Sequence, residues 1–175
     1  MLETEAELDA LQQLLERSRS RATDHLRGII NDQRALSARD ITGLLQKMKV
    51  ISLATVTARG EPRISAVDGH FLHGTWTWST DGSSAKARHL AARPAVSVAH
   101  VDHEDMAVFA HGAAERLRSS DPLWDETLAH WTAHYGSSPL DWGEDLRLYR
   151  LAPSWMVGYA FDRERLLASR GIGAT

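Results

Sequence analysis

The sequence predicts a mainly β protein of the α+β class, built on an antiparallel barrel. Three observations carry this. Six runs of branched and small residues have strand character, the first three are joined by short turns, and helical patterns are confined to the N-terminus and two insertions between strands. A chain of 175 residues, 43% hydrophobic, suffices for one ordinary domain with a core and a short helical appendage. Residues 1–36 are expected to be an N-terminal helical extension and residues 37–175 the barrel domain.

From Glu5 to about Gln33, apolar residues recur at helical spacing: Leu8, Leu11 and Leu15, then Leu26, Ile29 and Ile30. The intervening "RSRSRATDH" lacks an apolar stripe, which predicts a break near Ser18 to Thr23. A second helix is expected from Ser37 to about Lys49, because "SARD" offers a serine cap with an acid three positions on. Strands follow at about Val50–Thr57, Pro62–Phe71 and Thr75–Thr80, with "ARGEP" and "LHG" as their turns. Ser84–Ala92 reads as a short helix stopped by "RP". Further strands are expected at Ala95–Val101, Met106–Leu117 and Leu146–Phe161, with Pro153 interrupting the last. Between them, "SDPLWDETLAHWTAHYG" predicts a helix capped by aspartate, with proline at its first position and a glycine stop.

Composition narrows the chemistry. With 20 Lys+Arg against 23 Asp+Glu, the formal charge is -3, so any basic site is local and nucleic acid is not an expected partner. The absence of cysteine excludes disulfides, thiolate metal sites and a cysteine nucleophile. No run approaches a membrane span, and the start is acidic and amphipathic, so the expectation is a cytoplasmic protein with no membrane partner. The only lysines are Lys47, Lys49 and Lys86.

Lys86 lies in the most informative stretch, "WTWSTDGSSAKARHL". In a strand over Thr75–Thr80, Trp76, Trp78 and Thr80 face one way and Thr75, Thr77 and Ser79 the other. Gly82 permits a tight turn, and Ser83 and Ser84 then fall where a helix begins and presents unpaired N–H groups. Lys86 and Arg88 add two full charges within about one turn. Backbone donors, hydroxyls and cations converging in this way suit a phosphate. The same pattern also describes a capped surface helix with two solvated cations. In "EPRISAV", Arg63 and Ser65 share a face of the neighbouring strand, where they can reach the same ligand.

The run "ISLATVTARGEPRISAVDGHFLHGTWTWSTDGSSAKARHLAARPAVSVAHV" resembles the flavin-binding split-barrel family typified by pyridoxamine 5'-phosphate oxidase. The resemblance extends over about Met48 to Leu117 and rests on the Ser-x-Lys-x-Arg-x-Leu helix, the proline after it and the next strand. His89 stands where the family usually has asparagine. The resemblance implies a six-stranded antiparallel split β-barrel with flanking helices, forming a homodimer with cofactor at the subunit interface. It implies FMN as the cofactor, with a deazaflavin as the alternative and haem as a further one. By position, Lys86 and Arg88 would hold the phosphate, Ser79 and Thr80 would contact phosphate or ribityl, and Arg63, Ile64 and Ser65 would line the ring and polyol chain; Ser84, at the start of the same helix, is a further expected cofactor-binding residue. The expected activity is oxidation or reduction of a small organic substrate. A non-catalytic flavin- or haem-binding sensor is the alternative.

No general base stands out, and none is required where a cofactor carries the redox chemistry. His70 and His73 flank the second hairpin. His130 and His134 share a helix face at i, i+4, but "HWTAH" lacks the glutamate of a zinc-protease motif and a third ligand, so no metal is expected. His100, Asp102 and His103 read as a polar strand end. Trp155 occupies a position that the resemblance places near the partner's cofactor.

Overall fold

In a computed structural model describing residues 2–173, strand alternation sets the architecture. β1 (Lys49–Val56) buries Ile51, Leu53 and Thr55 and leaves the residues between them outside. β2 (Pro62–Leu72), β3 (Thr75–Asp81), β4 (Ala95–Asp102), β5 (Met106–Arg116) and β6 (Leu146–Ala160) complete a closed antiparallel barrel in the order β1-β2-β3-β6-β5-β4. Closure between β1 and β4 is narrow, with Ser52, Leu53 and Ala54 facing Ala99, Val98 and Ser97. Trp76 and Trp78 are fully buried, Trp78 stacked at 5.9 Å on Tyr149 of β6 and Trp76 edge-on at 5.2 Å to Phe71 of β2. The aromatic face of β3 is therefore core.

Helices close the barrel. α1 (Glu5–Ser20) begins in a Thr4–Glu7 capping box and places Leu8, Leu11, Leu14 and Leu15 in the same apolar cluster as the two tryptophans. Ser18 donates to its own helix at Leu14 and accepts from the Met156 amide of β6 at 2.9 Å. The expected break is present, since α2 (Asp24–Ile29) restarts after its cap Thr23. α3 (Ala38–Leu44) has the expected Ser37–Asp40 capping box but stops before Lys49, because Lys49 already pairs with Gly69 in the β1–β2 ladder. α4 (Ala85–Ala92) packs against β1 and β3 at the barrel end, and α5 (Trp124–Tyr135) packs on β2 and β6. There Leu72, Leu117, Trp131 and Leu148 form a second cluster.

Three details depart from the sequence expectation. α5 starts at Trp124, with Leu123 rather than Asp121 at its cap. The Asp121 carboxylate instead accepts from the Arg118 amide, in the turn before the helix. Gly136 closes α5 in the left-handed conformation at φ +76°, as expected. A further helix, α6 (Arg163–Ser169), capped by Asp162, buries Leu166 and Leu167; its single apolar pair is too short a pattern to announce it.

The third departure concerns Pro153, which does not interrupt β6. The register shifts instead, His111 pairing with Trp155 and Gly112 with Pro153, so Ser154 bulges out. A bulge tolerates proline, which has no amide to donate. The extra residue reverses the alternation of β6 and turns Trp155 outward, stacked on His111 at 4.7 Å. Backbones approach closely here: a Cβ at Gly112 would lie 2.1 Å from the Ala152 carbonyl oxygen. Gly112→Ala is expected to cost about 1–3 kcal/mol by forcing the two strands apart, read as a lower urea midpoint.

Candidate functional site

The turn from β3 into α4 is assembled by local hydrogen bonds. Asp81 accepts from the Ser83 amide at 2.7 Å and from the Ser83 hydroxyl, which folds the chain back at Gly82. Ser84 caps α4, accepting from the Ala87 amide at 3.1 Å, and its hydroxyl lies 3.0 Å from Thr80 Oγ1. Lys86 Nζ donates to the same Thr80 oxygen at 3.3 Å. The Arg88 guanidinium reaches back to the Ser83 carbonyl. Two hydroxyls, an ammonium, a guanidinium and a helix N-terminus thus meet at one end of β3. Among the described residues no carboxylate lies within ion-pair distance of Lys86 or Arg88.

The remaining residues singled out in the sequence surround this cluster to different degrees. Ser79 lies on the opposite side of β3 from Thr80. Arg63 is the ladder partner of Thr55, whose hydroxyl lies 3.0 Å from His89 Nδ1 of α4, so β1, β2 and α4 are tied together at this end. Its guanidinium is held by Glu61 at 2.8 Å and by the Pro62 carbonyl. Ser65, opposite Leu53, follows on the same side of β2. Ile64 points outward and is 74% exposed.

Arg147 completes the neighbourhood and has no local sequence signal. It is the ladder partner of Thr80, and its guanidinium is bidentate to Asp145 at 3.0 and 2.6 Å. That contact holds the Asp145 carboxyl below the usual carboxylate range. Only the β3–β6 register brings Arg147 to the site.

Beyond the turn, an open cleft of about 630 Å³ runs between the exposed parts of β1, β4, β5 and β6. Ala54, Ala95, Ala113 and Ala152 line it, and His111, bonded to Ser97 at 2.8 Å, stands at its edge beside Trp155. Its size falls in the ordinary range for small-molecule sites, about 300–1,000 Å³.

The histidines elsewhere are structural partners. His70, 1% exposed beneath α5, lies 3.1 Å from His130 Nε2 and 3.1 Å from the Tyr135 hydroxyl, which donates to Asp68 at 3.0 Å. Burial, reinforced by the charges of His130 and His134, lowers the His70 pKa to about 3. The unfolded chain therefore binds the extra proton between about pH 6.5 and 3, and stability falls as pH drops through that window, by up to about 1.4 kcal/mol per pH unit. Urea unfolding from pH 7.5 down to 4 is expected to show this slope, and His70→Gln to flatten it. His73, in a left-handed turn at φ +54°, bonds Glu7 of α1 at 3.0 Å. Among the described residues no group of three or more histidines and carboxylates is arranged to hold a metal ion.

Comparison with known proteins agrees with this architecture. The family model described as Pyridoxamine 5'-phosphate oxidase matches residues 38–158. No curated protein matches. Among solved structures, HutZ, the heme storage protein from Vibrio cholerae, has a TM-score of 0.61 at 23% identity, with 71% of this chain and 95% of that one covered. An F420 reductase scores 0.52 at 21% identity, covering 66% and 94%. An FAD-binding protein from Mesorhizobium loti scores 0.52 at 20%, covering 72% and 96%. A longer protein of unknown function from Agrobacterium tumefaciens scores 0.56 at 22% identity over 65% of this chain, which spans about half (51%) of its length. These likenesses show the fold. No helix among the described residues is long and apolar enough to cross a membrane. The family match, running from α3 through the bulged strand β6, shows that this chain belongs to the pyridoxamine 5'-phosphate oxidase family.

Proposed function

We propose that the protein is an FMN-dependent oxidoreductase acting on a small organic molecule, working in the cytoplasm as a homodimer with its cofactor between the subunits. One observation carries the reading: without a carboxylate partner among the described residues, Lys86 donates to Thr80, whose hydroxyl meets that of Ser84, and Arg88 reaches the adjacent Ser83 carbonyl at the start of α4. That donor set fits a phosphate monoester, which accepts hydrogen bonds from ammonium, guanidinium, hydroxyl and backbone N–H groups together. When bound, FMN supplies the hydride chemistry.

The chain supplies position. Lys86 and Arg88 neutralise the phosphate, with Ser84, Thr80 and, from the other side of β3, Ser79 directing hydroxyls to the phosphate and ribityl chain. Arg63, Ile64 and Ser65 border the ring and polyol. A second copy supports the homodimer: Val50, Ile64 and Val101 are 59%, 74% and 57% exposed, and the small residues Ser52, Ala54 and Ala99 lie among them on the outer face of β1, β2 and β4. An exposed apolar sheet face of this kind suits a twofold dimer. Family membership and the FAD-binding neighbour support a flavin. The F420 reductase favours a deazaflavin as second reading, since the phosphate cluster serves either.

The test is the visible absorption spectrum of protein purified from a host that makes both cofactors, followed by mass analysis of the chromophore released on denaturation. FMN is the expected product. A released deazaflavin moves the second reading to first place, and a haem band replaces both with a haem-handling role. Colourless protein that binds no added FMN or deazaflavin overturns the proposal.

A further inference from the structure

The turn that opens the phosphate cluster is covered by an ion pair. A Cβ at Gly82 would stand 1.9 Å from Asp145 Oδ2 and 2.3 Å from Arg147 Nε, so carboxylate and guanidinium lie directly on the turn's backbone. The Gly82 amide donates to the Asp145 carbonyl at 2.8 Å, which fixes the segment in place. Arg116, at the end of β5, brings a second guanidinium to 3.9 Å from the same carboxylate. Among the described residues Asp145 is the only carboxylate paired with either arginine. Arg147 is also the ladder partner of Thr80, which already holds Ser84 and Lys86. Four cations therefore border one glycine turn. The nearby Asp81 carboxylate is hydrogen-bonded by Ser83 and lies in the field of Arg147, but among the described residues it forms no ion pair with either arginine.

We propose that Arg147 and Arg116 form a second anion subsite beside the phosphate cluster, with the Asp145 carboxylate as its built-in occupant. The site would then take ligands that carry a further anionic group beyond the first phosphate, as a diphosphate does. The inference rests on the reading of Lys86 and Arg88 as the phosphate holders. A guanidinium fork that accepts a bidentate carboxylate offers the same geometry to a phosphate oxygen pair. Asp145 can yield, because it is exposed at the end of an exposed stretch, Asp141 to Asp145, and an ion pair in water gains little. Displacement leaves the hydrogen bond from the Gly82 N–H to the Asp145 carbonyl in place, so only a side-chain rotation is needed.

Calorimetric titration of the full-length protein with inorganic phosphate and inorganic pyrophosphate, alongside FMN, FAD and riboflavin, tests this. The parent protein is expected to prefer pyrophosphate to phosphate. Asp145→Asn should raise that preference about tenfold, and Arg147→Gln should abolish it. The FAD-to-FMN ratio should follow in the same direction. A preference unchanged by both substitutions, or phosphate and pyrophosphate shifting in parallel, overturns the subsite. FMN binding no tighter than riboflavin in the parent overturns instead the phosphate-site reading beneath it, so the two failures are distinguishable.

Discussion

Replacing Lys86 and Arg88 together by alanine is expected to raise the Kd for FMN by about two to four orders of magnitude and to leave the barrel folded. The size follows from two charge-assisted phosphate contacts at about 1.5–3 kcal/mol each, with a factor of ten per 1.4 kcal/mol. The fold survives because neither side chain is part of the core. Lys86 is half-buried and gives up one bond to Thr80, and Arg88 is exposed and gives up one to the Ser83 carbonyl. Such surface changes lie within about 0.5 kcal/mol. Flavin fluorescence titration and a thermal melt of the same sample separate the effects. Lost affinity at an unchanged midpoint supports a phosphate site, whereas unchanged affinity leaves α4 as a capped helix with solvated cations.

Riboflavin supplies the internal control. It shares ring and polyol but lacks the phosphate, so its affinity should not change in the double variant. Arg63→Ala is a useful contrast, because Arg63 is already engaged by Glu61 and the Pro62 carbonyl and has less charge to offer a phosphate.

How much of this was legible in the sequence depends on the range of the interaction concerned. Caps and turns are local, so Ser37, Ser84 and Gly136 announced their helix ends, and six strands could be placed from alternation alone. Their closure into one barrel required the β1–β4 and β3–β6 ladders, whose partners are far apart in sequence. The same distinction governs the candidate site. Lys86 and Arg88 follow their capping serine within one short helix and were readable. Arg147 reaches Thr80 only through cross-strand register, and nothing near it in the chain marks it. The Pro153 expectation failed because a proline rule applied to one strand cannot anticipate a bulge, which is a property of two. His89, read as a departure from the family's asparagine, has a role only once Thr55 of a remote strand is placed beside it.

A chain lacking residues 1–22 is expected to lose cooperative unfolding, even though an N-terminal helical segment reads in sequence as an appendage. Leu8, Leu11, Leu14 and Leu15 are each less than a tenth exposed and lie in the barrel's own cluster. At about 1.5–3 kcal/mol per buried leucine, they represent an amount comparable with the whole net stability of an ordinary domain, about 5–15 kcal/mol. Deletion also removes Ser18, leaving the buried Met156 amide of β6 without its acceptor, and frees His73 from Glu7 at the β2–β3 turn. The chain ordering of α1 offsets part of this gain, so a single substitution gives a cleaner measure. Leu11→Ala should cost about 2–5 kcal/mol through the cavity it leaves, read from urea denaturation of the full-length chain. If the truncated protein melts sharply within a few degrees of the parent and still binds FMN, α1 is an accessory to the barrel. If Leu11→Ala and the deletion both collapse the transition, the helix is part of the fold on which the α4 turn depends.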